Sequence, residues 1–135
     1  MKKSVACIAF ENGKILIAHR NPTGQMGNRW EFPGGKVEEG ESPELTIVRE
    51  MSEEFGIKVT VLQKITEGTF VHNDKQVLLE VYLIKVPHDG TKEKYVLTEH
   101  SEYKWVSYDK IPKENFVDSD LKVYPQICKF LQEKN

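Results

Sequence analysis

Three glutamates, Glu50, Glu53 and Glu54, have the sequence spacing that would bring their carboxylates onto one side of a helix. Helical residues at i, i+3 and i+4 share a face, and like charges there repel each other. The sequence tolerates such an arrangement most readily when a cation lies among the carboxylates. Oxygen-only ligands at this density favour a hard divalent ion such as Mg²⁺ or Mn²⁺. The same spacing is also typical of a solvated acidic helix face, so the flanking residues must decide.

The flanking residues predict where this helix begins and ends. Ser42 and Pro43 suit the N-cap and the first helical position, where a side-chain acceptor is useful and a missing N–H is harmless. Gly56 suits the left-handed position that ends a helix. The predicted apolar stripe consists of Leu45, Val48, Met51 and Phe55. This stripe would face the core and leave the three glutamates toward a site.

A longer pattern of fixed residues surrounds the glutamates. In order along the chain it contains Gly35, Glu41, Arg49-Glu50, the apolar Met51, Glu53-Glu54, Gly56 and the apolar Ile57. This pattern resembles the Nudix box, the signature of hydrolases that cleave nucleoside diphosphates linked to another group. Every specified position of that signature is filled. The resemblance implies a loop–helix–loop catalytic motif and hydrolysis of a pyrophosphate link.

The rest of the chain predicts strands and one further helix. Strand composition is found at residues 5–10, 14–19, 58–72, 76–86 and 103–108, and a terminal helix is predicted at 121–132. Asn12-Gly13 and Asn73-Asp74 predict hairpin turns, Gly68 predicts a bulge or bend, and residues 109–119 read as irregular. Such a mixture of elements predicts an α+β fold, with a sheet packed between helices. The resemblance implies the Nudix α/β/α sandwich with a mixed central sheet, in a single domain over residues 1–135.

Composition excludes several classes of partner. The chain has 135 residues and a net charge of -2, which gives no electrostatic reason to expect duplex nucleic acid, a longer polyanion or a membrane surface. No apolar segment has transmembrane length, and the start lacks a signal-peptide pattern. Cys7 and Cys128 show no metal-ligand spacing and predict free thiols, consistent with a reducing cytoplasm. We expect a cytoplasmic monomer or homodimer that binds a small nucleotide.

The resemblance also implies the residues that hold the metal. Glu50, Glu53, Glu54 and the carbonyl of Gly34 are the implied Mg²⁺ ligands, with Mn²⁺ able to substitute. Glu99, in a loop before a tryptophan-bearing strand, is the candidate that completes a metal site or orients the attacking water; an exposed loop acid is the alternative. Glu53, Glu54 and Glu99 are the candidate catalytic residues. None is assigned as the base, because clustered carboxylates titrate together.

The arginine of the pattern has a separate, structural prediction. Glu41 and Arg49 are expected to form an ion pair that fixes the loop and orients the ligand carboxylates.

The segment from Trp30 to Glu38 resembles the MutT-type branch, whose members hydrolyse nucleoside triphosphates to a monophosphate and pyrophosphate. The implied substrate-binding residues are Arg20 and Lys36 for the phosphates, Phe32 as an apolar wall, and Asp118 or Asp120 for the nucleobase. A buried Asp that stays protonated can donate to a purine edge, although Asp120 also suits a helix N-cap and Phe32 also suits the core.

The predicted substrate class is therefore a nucleoside triphosphate, including an oxidised one such as 8-oxo-dGTP. The alternatives are CTP or dCTP, ADP-ribose, a dinucleoside polyphosphate, a 5′-triphosphate RNA end, and a nucleotide-binding regulatory domain without hydrolysis.

Overall fold

The computed structural model describes residues 1–21, 28–87, 95–98 and 100–134. Within these residues seven strands form one sheet and two α-helices pack against it. The strands are β1 (Lys2–Glu11), β2 (Lys14–Arg20), β3 (Trp30–Glu31), β4 (Gly34–Lys36), β5 (Thr60–His72), β6 (Lys75–Lys85) and β7 (His100–Ser107). The helices are α1 (Pro43–Phe55) and α2 (Asp118–Lys134).

The sheet is mixed, as predicted. Its main path runs β3-β2-β1-β6-β5, while β4 pairs with β1 and β7 pairs with β2. β1 and β6 are parallel, and the other pairings are antiparallel. β1 pairs with β2 only near the turn that joins them and with β4 further toward its beginning. The segment between β3 and β4 therefore lies where the sheet divides, and the backbone N–H of Cys7 reaches the Pro33 carbonyl there at 2.7 Å.

Alternation along β1 divides the core in two. Val5, Cys7 and Ala9 pack on the side of α1, whereas Ala6 and Ile8 pack on the side of α2. Because neighbouring strand residues point to opposite faces, one buried strand serves both cores. The predicted α/β/α sandwich is thereby confirmed. Among the described residues, no helix is long and apolar enough to cross a membrane.

The two predicted hairpins are present, with turn residues in the left-handed region. Asn12 and Gly13 have φ of 51° and 77°, and Asn73 and Asp74 have φ of 50° and 62°. These values suit the tight turns whose twist matches paired strands.

The prediction for Gly68 was wrong: it pairs in register with Leu79, and the register shifts lie earlier in β5. Its lack of a side chain instead admits α2, since a Cβ there would lie 3.0 Å from Val123.

α1 begins and ends as predicted, but its buried face differs from the predicted stripe. The Ser42 side chain caps the backbone N–H of Leu45, Pro43 opens the helix, and Gly56 ends it with φ of 68°. Leu45 is 62% exposed, and the buried apolar side chains are Ile47, Met51 and Phe55. This rotated face carries Glu54 inward as well, so the three glutamates experience different surroundings.

The region before the last helix is more regular than predicted. A short 3-10 helix spans Tyr108–Lys113, and α2 begins at Asp118 rather than at residue 121. The N-cap prediction for Asp120 was wrong, because this residue lies inside the first turn of α2 and its side chain is buried.

Candidate active site

Arg49 organises the loop and the exposed side of α1. Its Nε donates to Glu41 Oε2 at 2.7 Å, and Nη2 donates to Glu41 Oε1 at 3.0 Å and to the Lys36 carbonyl at 3.1 Å. Nη1 donates to Glu50 Oε1 at 2.7 Å and to Glu53 Oε2 at 3.2 Å. The predicted Glu41–Arg49 pair is confirmed as a bidentate contact, and one guanidinium holds two further carboxylates in place.

The electrostatic strength of this pair is visible at Glu41. Hydrogen bonds from Arg49 and then from Thr46 lower the pKa of the Glu41 carboxyl to about 2, against the opposing effect of desolvation. Glu41 Oε1 accepts from the Thr46 hydroxyl at 2.6 Å and from the backbone N–H of Glu38 at 3.1 Å. Glu41 therefore stays ionised at neutral pH and anchors the loop before α1 to its first turns.

Glu54 points into the interior, whereas Glu53 on the same helix is largely exposed. The Glu54 side chain is 3% exposed, and its Oε1 lies 3.9 Å from His100 Nδ1. The opposite ring nitrogen, Nε2, donates to Glu31 Oε2 at 2.7 Å. Glu31 Oε1 in turn accepts from Arg20 Nη1 at 2.9 Å. A chain of polar side chains thus leads from the end of β2 to the helix that carries the glutamates.

Gly34 and Gly35 allow β4 to pass close to both the sheet and α1. A Cβ on Gly34 would lie 2.0 Å from the Val5 carbonyl oxygen, and one on Gly35 would lie 2.4 Å from Glu50 Cδ. Only glycine fits at position 34, where the neighbour is backbone, whereas at position 35 a Cβ requires the Glu50 carboxylate to move. The Glu50 carboxylate is therefore held between the Gly35 backbone and the Arg49 guanidinium.

Asp120 approaches the same region from the other helix. Its Oδ2 accepts from the backbone N–H of Phe32 at 2.9 Å. Burial, and secondarily the charge of Glu31, raise the pKa of the Asp120 carboxyl to about 8, although the Phe32 hydrogen bond and Arg20 act in the opposite direction. The carboxyl is consequently protonated through neutral pH and has an O–H to donate.

The pKa of the buried Cys7 thiol is affected by acidic groups on both helices. Burial raises its pKa well above the ordinary value, and the charges of Glu54, Glu50 and Asp120 raise it further, in that order. Cys7 belongs to β1, directly beside the division in the sheet. The charges of the helix glutamates and of the buried aspartate therefore all act on one thiol of the central strand.

The remaining predicted residues are more scattered. Lys36 lies exposed in β4, and Asp118 is 80% exposed with Arg29 Nη1 at 3.4 Å from its Oδ1. The ring of Phe32 is buried against Phe116, with centroids 4.9 Å apart. Of the two predicted roles of Phe32, this position matches core packing. The predicted residue Glu99 lies outside the described residues.

A divalent cation suits the chemistry of this region. Glu50, Glu53 and Glu54 supply only carboxylate oxygens, the donors that hard cations prefer, and the Glu53 side chain is 59% exposed. Arg49 already places positive charge against two of them, Glu50 and Glu53. In the arrangement shown, no three His, Cys, Asp or Glu side chains of the described residues form a preassembled metal cluster.

The structure has a mixed sheet between two helices, with an acidic loop–helix–loop where the sheet divides. Together with the family match, this arrangement identifies the chain as a pyrophosphohydrolase of nucleotide substrates. The model of the NUDIX domain matches residues 1–127, and the chain belongs to the Nudix family. It is a MutT-like member, an assignment that the relatives below support. Nudix hydrolases generally use divalent metal ions.

Three comparisons illustrate the relationship. The chain is 38% identical over 88 residues to the 8-oxo-dGTP diphosphatase of Escherichia coli (strain K12), covering 63% of this chain and 68% of that protein. It is 48% identical over 61 residues to the CTP pyrophosphohydrolase of the same organism, covering 45% of each chain. The solution structure of the E. coli ORF135 protein superposes with a TM-score of 0.81 at 28% identity, covering 96% of this chain and 89% of that one.

Sequence reasoning omitted two polar residues of this site, Glu31 and His100. Glu31 stands within the segment that resembles the MutT-type branch, yet nothing about its spacing marks it as a partner of His100, which lies 69 positions away. The histidines show no metal-ligand spacing in the sequence, which predicts structural or exposed positions for them. His100 is buried, and only the pairing of β2 with β7 brings it to Arg20.

The two glycines offer a matched pair of substitutions. We expect Gly35→Ala to push the flexible Glu50 carboxylate aside and to lower turnover by about 100-fold, since small misplacements of reacting groups carry such costs. Gly34→Ala meets backbone rather than a side-chain end, so it should instead destabilise the fold by about 1–3 kcal/mol. Steady-state kinetics and thermal unfolding of both variants separate these effects. Equal loss of stability in the two would contradict the account.

Proposed function

We propose that this chain hydrolyses a purine nucleoside triphosphate, with 8-oxo-dGTP as the first candidate, to a nucleoside monophosphate and pyrophosphate with Mg²⁺. The observation that carries the proposal is the buried Asp120 carboxyl, which accepts from the backbone N–H of Phe32, two residues before Gly34, and has its pKa raised to about 8. A protonated carboxyl both donates and accepts, as the edge of a purine requires. The name of the 38% identical relative supports this choice of base.

In this proposal the cation is held by carboxylates and by one backbone oxygen. The ligands are Glu50, Glu53, Glu54, the Gly34 carbonyl and Glu99. Bound Mg²⁺ neutralises phosphate charge and lowers the pKa of bound water. Mn²⁺ replaces it, because both ions prefer oxygen donors. Glu53, Glu54 and Glu99 are the candidates for accepting the proton of the attacking water.

The protein side chains on the phosphate side are cationic. Arg20 is 40% exposed at its side chain while Glu31 holds one of its nitrogens, which leaves part of the guanidinium facing outward. Lys36 is exposed in β4, directly after Gly34 and Gly35. Both contact phosphates in this proposal, and Arg49 acts through the carboxylates that it holds. Asp118, which is exposed at the start of α2, stays a second candidate for contact with the nucleobase of the substrate.

A substrate panel tests the proposal. Purified protein with Mg²⁺ is given 8-oxo-dGTP, dGTP, CTP, dCTP, ADP-ribose, a diadenosine polyphosphate and 5′-triphosphate RNA, and kcat/KM is measured with the products identified. The proposal expects the highest kcat/KM for 8-oxo-dGTP, with monophosphate and pyrophosphate as products. A preference for ADP-ribose or for RNA ends would contradict the assigned substrate while leaving pyrophosphate hydrolysis in place.

Pyrimidine triphosphates are the second candidate substrates, because the relative that is 48% identical over 61 residues is named a CTP pyrophosphohydrolase. The panel distinguishes the two directly. With CTP or dCTP preferred, Asp120 would read a pyrimidine edge instead, and its substitution by Asn would change kcat/KM for those substrates.

A further inference from the structure

His100 lies between two carboxylates that belong to different parts of the site. Its side chain is 2% exposed; Nε2 donates to Glu31 Oε2 at 2.7 Å, and Nδ1 lies 3.9 Å from Glu54 Oε1. The ring stacks on Phe55, with centroids 5.7 Å apart and planes at 20°. Phe55 adjoins Glu54 in α1, so the stacked ring is fixed relative to the helix that carries the glutamates.

We propose that His100 is a positioning residue that sets the direction of the Glu54 carboxylate and thereby the affinity of the site for its cation. This inference rests on the proposed role of Glu54 as a metal ligand. Residues that orient ligands from outside the coordination shell commonly determine how well a metal is held. His100 occupies such a place, because its Nδ1 faces one oxygen of the Glu54 carboxylate.

The buried Nδ1 atom supports the assignment. Among the described residues it has no hydrogen-bond partner, and Glu54 Oε1 is the carboxylate oxygen that faces it. A buried polar nitrogen is costly to leave unsatisfied, and interactions at this depth are weakly screened. With the ring proton on Nε2, Nδ1 presents a lone pair, so one water that donates to both Nδ1 and Glu54 Oε1 can bridge the gap of 3.9 Å.

The other end of the ring is fixed by the sheet. Glu31 accepts from His100 through Oε2 and from Arg20 through Oε1, so it is held from both sides. His100 thus has one edge attached to the strands and one edge facing Glu54. Loss of the Nδ1 atom that faces Glu54 should weaken cation binding, while Arg20 keeps its hydrogen bond to Glu31.

Binding of Mn²⁺ to the nucleotide-free protein, measured by electron paramagnetic resonance, tests the inference. In His100→Gln the amide can replace the Nε2 contact to Glu31 but not the edge facing Glu54. We expect this variant to bind Mn²⁺ about 10- to 100-fold more weakly. Its kcat should fall at subsaturating metal while KM for the nucleotide is retained. In His100→Asn the shorter amide lies near the position of Nδ1 and should restore part of the Mn²⁺ affinity.

His19→Gln is the matched control. His19 lies on the neighbouring strand β2, and its Nδ1 is hydrogen-bonded to Ser101 Oγ at 2.9 Å rather than to a glutamate. The Mn²⁺ affinity of His19→Gln should therefore equal that of the wild type. Unchanged Mn²⁺ affinity in a folded His100→Gln variant would overturn the inference.

A measurement on the wild-type chain covers the case in which neither variant folds. Nitrogen NMR of the His100 ring during addition of Mg²⁺ should show Nδ1 shifting with the binding curve and Nε2 moving less. Absence of any Nδ1 shift on saturation would equally overturn the inference. If the wild type binds no cation, the proposed metal site fails; if it binds one and Glu54→Gln abolishes binding while His100→Gln does not, only the role of His100 fails.

Discussion

Replacing Glu53 or Glu54 by glutamine should remove most turnover while leaving the chain folded. Substitutions outside the coordination shell of a metal typically cost about 10- to 100-fold, so the loss of a ligand carboxylate should exceed the upper end of that range, about 100-fold. Gln is nearly isosteric with Glu but carries no charge for the cation. Turnover with saturating Mg²⁺ and thermal unfolding of each variant provide the measurement.

The two substitutions should differ in their effect on stability. Glu53 is largely exposed and shares Arg49 with Glu50, so Glu53→Gln should change unfolding little. Glu54 is buried beside His100, so its replacement should alter unfolding more. Glu44→Gln, an exposed acid in the first turn of the same helix, is the control and should retain wild-type turnover. Wild-type rates in both Glu53→Gln and Glu54→Gln would contradict the metal-ligand assignment.

Replacing Asp120 by asparagine should make the protein more stable than the wild type at alkaline pH. The folded-state pKa of about 8 exceeds the ordinary value of 3.8, so the folded chain holds this proton more tightly than the unfolded chain does. Wild-type stability should consequently decline between about pH 4 and pH 8, by at most about 1.4 kcal/mol per pH unit from this group. Asn does not titrate and keeps an oxygen to accept from Phe32.

Denaturant unfolding of both proteins from pH 5 to pH 9 measures this effect. The difference in the free energy of unfolding should grow in favour of Asp120→Asn as pH rises, and become constant above the folded-state pKa. The wild-type kcat/KM for the preferred purine substrate should also decrease above about pH 8, because Asp120 then loses the proton that it donates. A constant stability difference across the range would show that Asp120 is ionised in the folded protein.

The sequence predicted best those features that depend on neighbouring residues. The cap at Ser42, the proline at the first helical position and the glycine end of α1 all follow from local backbone chemistry, and all are present. The hairpin turns at Asn12-Gly13 and Asn73-Asp74 belong to the same class. Each needs only the conformational preference of two or three residues, so no tertiary contact was required to predict it.

Features determined by packing were predicted less well. Leu45 fitted the helical period of an apolar stripe, but the sheet lies against Ile47, Met51 and Phe55, and periodicity alone does not specify how a helix is rotated onto its neighbour. The N-cap alternative for Asp120 depended on its place before an apolar pattern. The real partner of Asp120 is the backbone N–H of Phe32, which is 88 positions away.

The candidate site shows the same division. The glutamates of α1 and their arginine were predicted from one contiguous segment, and the Arg49–Glu41 contact confirms how that segment is fixed. The link between Glu54, His100 and Glu31 depends on the pairing of β7 with β2 and on the division of the sheet. Nothing in the local sequence encodes that proximity.

Product analysis of a double variant tests whether the glutamates of α1 are needed to hydrolyse the pyrophosphate link. The wild-type chain and the chain with both Glu53→Gln and Glu54→Gln are incubated with 8-oxo-dGTP and Mg²⁺, and the released phosphates are separated and quantified. We expect equal amounts of nucleoside monophosphate and pyrophosphate from the wild type, and neither product above background from the folded double variant. Release of nucleoside diphosphate and orthophosphate, or undiminished pyrophosphate from the double variant, would contradict this expectation.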